Sequence, residues 1–129
     1  MHLLIAGAAL VWNLLGLLAF VMQIWMSPAQ VAALPAAERA VYAATPAWIT
    51  AAFALAVAAG VLGSIGLLLR QRWAVAAFTV SLLALIVQIA GGYLVTPLWQ
   101  ATGASGAVLP ALLLVIAVVL LRYARGVAR

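Results

Sequence analysis

Residues 46–95 read PAWITAAFALAVAAGVLGSIGLLLRQRWAVAAFTVSLLALIVQIAGGYLV. Arg70 and Arg72, with Gln71 between them, separate two apolar runs that hold no charged residue of their own. Each run is long enough to cross a hydrocarbon core, which takes roughly 20 helical residues. So short a connection makes the two runs a tight antiparallel helical hairpin. Two further apolar runs flank it, Leu3–Met26 before and about Ala104–Leu121 after. The expectation is an all-α membrane protein: one four-helix transmembrane bundle over residues 1–129, with spans at about 3–26, 46–69, 73–95 and 104–121.

Composition agrees. The chain is 71% hydrophobic and only 5% charged, against about 25% charged in a soluble domain. The net charge of +5 comes from six Arg and no Lys, with Glu38 the only carboxylate. Arg70, Arg72, Arg122 and Arg125 stand at span ends, where they are read as facing lipid headgroups. Membrane lipid, and not nucleic acid, is therefore the expected partner of that charge. There is no Cys, which removes disulfides and thiolate chemistry. The first run is too long for a signal-peptide core and no Lys or Arg precedes it, so it is read as a retained span.

With four spans, Arg70, Arg72, Arg122, Arg125 and Arg129 share one side and Arg39 lies on the other. The positive-inside rule then puts both termini in the cytoplasm of a bacterial inner membrane. Trp25, Trp48, Tyr93 and Trp99 fall near the outer boundary, Trp73 and Tyr123 near the inner one, as an aromatic belt requires. Trp12 falls mid-span and is read as packing volume. The first connection, Ser27–Thr45, carries capping-box spacing at Ser27 and Gln30, Pro28 at a first helical position, and Pro35 as a second start. It is expected to form one or two short interfacial helices in the first periplasmic loop, and Thr45-Pro46 to cap the second span. Pro97 ends the third span, Thr96–Gly103 is a plain connection, and Pro110 sits early in the fourth span.

Small and polar residues lie in rows. Ala6, Ala9, Asn13, Gly16, Phe20 and Gln23 recur at steps of three and four in span one. Ala74, Ala77, Ser81, Ala84, Gln88 and Gly91 do so in span three. This is a heptad-like seam. In span two, Ala52, Ala56, Gly60 and Ser64 form a ridge, with Ala59 and Gly63 beside it. In lipid, close backbone approach at such residues replaces the hydrophobic drive. Gly16, Ala56, Gly60, Gly63, Ser64 and Gly91 are thus the expected helix-packing positions. Asn13, Gln23, Ser81 and Gln88 form a candidate polar seam, read as interhelical glue, with a solute-lining role as the alternative.

Most chemistry is excluded. Acid–base catalysis needs a positioned titratable group, and His2 and Glu38 lie at opposite sides. His2 is read as an exposed terminal residue. Met22 and Met26 are packing residues rather than haem ligands. No enzymatic activity, cofactor or metal is expected. Proton-coupled transport usually needs an intramembrane carboxylate or His. Its absence separates this chain from the small multidrug exporters, and no short three-helix repeat links it to the sweet-type sugar carriers.

Trp12-Asn13 with Gly16, Tyr42, Pro46-Ala47-Trp48, Ala52-Phe53-Ala54, Ala56-Val57, Gly60, Leu62-Gly63-Ser64, Leu67-Leu68-Leu69-Arg70, Trp73-Ala74 and Ser81-Leu82 together carry a resemblance. Over its first two-thirds the chain resembles a group of small four-helix bacterial inner-membrane proteins of uncharacterised function, whose members often carry the label "sugar transporter". That group often has an acidic residue three positions after the first-span glycine; here it is Ala19. The resulting expectation is a non-enzymatic inner-membrane protein, an accessory or packing subunit that associates with itself or another membrane protein. The alternative is an oligomeric carrier or channel for a small uncharged solute such as a sugar, for which Asn13, Gln23, Gln88, Trp12 and Trp25 are the candidates. A continuous polar cavity touching Asn13 and Gln88 would favour transport, and a filled centre the accessory role.

Overall fold

In chain order the helices are α1 (His2–Ile24), α2 (Pro28–Ala32), α3 (Ala36–Ala44), α4 (Ala47–Leu68), α5 (Trp73–Val95), α6 (Leu98–Gly106) and α7 (Val108–Val127). The computed structural model describes Met1–Val127, so Arg129 lies outside the described residues. Helices α1, α4, α5 and α7 are long and apolar enough to cross a membrane, as in a multi-pass membrane protein. Among the described residues there is no strand.

The α4–α5 hairpin closes on a Schellman motif. The Gln71 amide donates to Gly66 O (2.8 Å) and the Arg70 amide to Leu67 O (3.1 Å). Arg70 takes the left-handed conformation (φ 55°) that this cap needs and that Gly usually fills. Around the hairpin, α1 packs on α4 and α7 on α5, while α1 and α7 make no extended contact. The buried core gathers at the end carrying Arg70, Arg72 and Arg122, here the arginine end. There Ala6 and Ala9 of α1 meet Leu67, Ala74, Phe78, Leu120 and Ala124.

In the first connection Ser27 and Gln30 form a capping box, with Pro28 at the start of α2 and Pro35 preceding α3. Thr45 departs from its expected role. Its hydroxyl donates back to Val41 O (2.7 Å) at the end of α3, and α4 begins without a side-chain cap. Pro97 ends the third span as expected, and the third connection holds a helix of its own, α6, which kinks at Gly103 (φ 64°). A positive φ there is tolerated because Gly has no Cβ. The kink delays the fourth long helix to Val108, and it runs on to Val127 rather than Leu121. That extension lets Tyr123 and Ala124 pack against α1 and α4.

Candidate functional site

A row of small residues on α4 sets how closely its neighbours approach. Gly60 at mid-height, and Gly63 and Gly66 toward the arginine end, are buried against their neighbours. A Cβ at Gly60 would collide with Asn13 Oδ1. One at Gly63 would stand 2.9 Å from Phe78 Cδ1, and one at Gly66 2.8 Å from Trp73 Cζ3. Gly91 on α5 reciprocates, since a Cβ there would stand 2.8 Å from Trp48 Cη2. Gly16 is looser, its added Cβ meeting Val57 Cγ1 at an ordinary 3.6 Å. Ala56 and Ser64 are buried on the same side of α4. Aromatic rings on glycine thus hold α4 and α5 together, and an amide on glycine holds α1 to α4.

The polar groups at this level are bonded within the bundle. Asn13 Nδ2 donates to Ala9 O (2.8 Å) and to Ser64 Oγ (3.0 Å). Ser64 Oγ, fully buried, donates to Gly60 O (2.8 Å), and Ser81 Oγ donates across to Ala56 O (2.6 Å). The two that cross between helices, Asn13 to Ser64 and Ser81 to Ala56, contribute about 0.6 kcal/mol each. Asn13 and Ser81 therefore flank Gly60 from opposite sides, joining α1, α4 and α5.

Above this layer the centre is not filled. A cavity of about 320 Å³ lies among all four long helices, where α1 and α7 fail to meet. Trp12 and Gly16 of α1, Val57 of α4, Phe78 of α5, and Leu113 and Ile116 of α7 are among its walls. Its only amide or hydroxyl side chains are Asn13 and Ser81, whose N–H and O–H donors are already engaged.

A second pocket of about 210 Å³ lies toward the end opposite the arginines. Gln23 of α1, Thr50 of α4 and Gln88 of α5 line it, with Thr45 and Thr96 at its edge and Leu98 of α6 closing it. Thr45 and Thr96 donate to backbone carbonyls one turn back, Val41 O and Gly92 O. The Gln23 and Gln88 amides and the Thr50 hydroxyl have no hydrogen-bond partner among the described residues. Phe53 lines both cavities, its ring braced edge-to-face by Phe20 at a ring-centroid distance of 5.2 Å. The polar seam read from the sequence is thus divided. Asn13 and Ser81 face the central cavity, Gln23 and Gln88 the other.

At the arginine end His2 corrects the sequence reading. It is half-buried, not exposed. One ring nitrogen, Nε2, lies 2.9 Å from Leu67 O, and Nδ1 lies 2.8 Å from the Tyr123 hydroxyl, with the two rings stacked. A carbonyl only accepts, so Nε2 donates to Leu67 O, while Nδ1 and the Tyr123 hydroxyl share the second bond. This clasp ties the start of α1 to the ends of α4 and α7. Composition gave no sign of it, because partners 65 and 121 residues away meet only once the bundle forms. Arg70, Arg72, Arg122 and Arg125 are exposed at this end.

Among the described residues, no side chain facing either cavity ionises near neutral pH. Amides, hydroxyls, aromatic rings and aliphatic groups bind by hydrogen bonding and shape. The chain matches no protein-family model, no curated protein and no solved structure.

Proposed function

We propose that this is a non-enzymatic protein of the bacterial inner membrane, with both termini cytoplasmic, acting as an accessory subunit through helix–helix contacts. It works through association with another membrane protein or a second copy of itself, needs no cofactor, and sets its arginines against lipid headgroups. Its α2 and α3 lie at the outer interface. The resemblance to small four-helix inner-membrane proteins is part of this proposal. The observation that supports it most is the outer stripe of α7. Val108, Leu112, Val115 and Val119 are all strongly exposed, and their steps of four, three and four are those of a seam that receives a second helix. The mid-height polar groups fit the same role, since Asn13, Ser64 and Ser81 are bonded to the bundle itself.

A photo-crosslinking residue at position 115, in cells, tests this. The expected result is a discrete protein adduct absent with the crosslinker at Leu83, an equally exposed residue of α5. Adducts that are the same from both positions, or lipid alone, would refute the accessory role.

The pocket holding Gln23 and Gln88 favours a second reading, a carrier for a small uncharged solute. On that reading Gln88→Leu abolishes flux in liposomes while the protein still folds. On the accessory reading no flux exists to lose.

A further inference from the structure

We propose that the two cavities together form one binding site for a single-chain lipid with an uncharged, hydroxyl-bearing head, such as a monoacylglycerol. This goes beyond the accessory role and does not depend on it.

The inference starts from what each cavity needs. The central one, at about 320 Å³, is about twice the roughly 150 Å³ apolar cavity that stays dry and takes up hydrocarbon. Its amide and hydroxyl side chains have their donors bonded elsewhere, and the Trp12 indole N–H is one further donor on the wall, so water there would find few of the partners it requires. An aliphatic chain satisfies such walls. The other pocket has the opposite need. Gln23 and Gln88 each offer two N–H donors and a carbonyl acceptor, and Thr50 a hydroxyl, all without partners among the described residues. A head carrying several hydroxyls, each both donor and acceptor, meets that set. No ionisable side chain lines either cavity, so a carboxylate or phosphate head would be buried without a counter-charge, which is strongly unfavourable.

Position joins the two needs into one ligand. Both cavities share Phe53 as a lining residue, so they adjoin at that ring, which packs edge-to-face on Phe20. The polar pocket lies at the end of the bundle and the apolar one at mid-height. That is the order of head and tail in a lipid leaflet.

The test uses the full chain in phospholipid nanodiscs and a photoreactive monoacylglycerol carrying a diazirine in mid-chain. The expected result is saturable labelling of α1 and α7 residues facing the central cavity, such as Leu15 and Ile116. Unlabelled mono-oleoylglycerol should compete at least tenfold better than oleate or octadecene. Gln23→Leu and Gln88→Leu should each weaken that competition about tenfold while melting temperature stays within a few degrees. Ala117→Phe, which fills the central cavity, should abolish labelling; should it fail to fold, the two glutamine variants decide. Labelling that does not saturate, equal competition by octadecene, or an unchanged affinity in both glutamine variants would overturn the proposal. None of these outcomes bears on crosslinking at position 115, so the two proposals fail separately.

Discussion

Gly60→Ala adds one methyl group at the tightest point of the bundle. The new Cβ would collide with Asn13 Oδ1 and stand 3.0 Å from Asn13 Cγ and 3.3 Å from Ser81 Oγ. Backbone on both sides is held by the α1–α4 and α4–α5 contacts, so Asn13 must move. Its bond to Ser64 Oγ is then lost. Overpacking of a filled site costs about 1–3 kcal/mol, and the interhelical bond adds about 0.6 kcal/mol. The better helix propensity of Ala returns up to about 1 kcal/mol. The net expectation is a destabilisation of roughly 1–3 kcal/mol. Gly7→Ala is the matched control, because nothing lies within 4 Å of its added Cβ; only the propensity gain applies there. Unfolding of purified protein by SDS in mixed micelles, followed by circular dichroism, compares the two. Combining Gly60→Ala with Asn13→Ala removes the colliding amide, so the double variant should be more stable than the sum of the single changes by about 1 kcal/mol. If Gly60→Ala unfolds at the same SDS fraction as Gly7→Ala, the amide-on-glycine contact does not hold α1 to α4.

His2→Ala should lower the same unfolding free energy by about 1 kcal/mol, since it leaves the Tyr123 hydroxyl and one lone pair of Leu67 O without their partner; an unchanged value removes the clasp from the account. Arg70→Gly should stabilise the purified protein by about 1 kcal/mol by relieving the left-handed strain at φ 55°, and equal stability would show that the arginine is unstrained there. A cysteine at position 71 and a reporter fused after residue 129 should both report the cytoplasm, and labelling of either from the periplasm would overturn the proposed orientation.

The hairpin of α4 and α5 was legible because two apolar runs and a three-residue break leave the chain no other geometry. The capping box at Ser27 and the start of α3 after Pro35 were legible for the same reason: their signals are local and lie within four residues. Where the determinant was not local, the reading failed. Pro97 does end the third span, but proline serves equally well just before a helix, and nothing local announces that α6 follows it directly. Thr45 had two carbonyl and amide neighbours to choose between, and local spacing did not say which it would bond. His2 depends on α4 and α7 arriving together. The rows of small residues located the polar seam, but its division between two pockets follows from how all the helices pack, and Phe53, which lines both, looks in sequence like any other apolar residue.

The central cavity has a physical origin in the contrast between α4 and α7. Helix α4 presents Ala56, Gly60, Gly63 and Gly66 to its neighbours, so α1 and α5 both come close. Helix α7 presents branched or bulky residues, Leu109, Leu113 and Ile116, toward the same centre. Large side chains hold backbones apart, and they leave gaps where they do not interlock. Ala117 is the single small residue that α7 turns to that cavity; at the arginine end α7 offers Ala124, buried beside Ala6 and Ala9, and there Tyr123 bonds to α1. The bundle is therefore closed at one end and loose above it. The same sequence choice that leaves α7 held chiefly by α5 also leaves its outer valine and leucine stripe uncovered. The cavity beside α7 and the exposed stripe on its outer side have one cause, a helix whose inward face is mostly bulky.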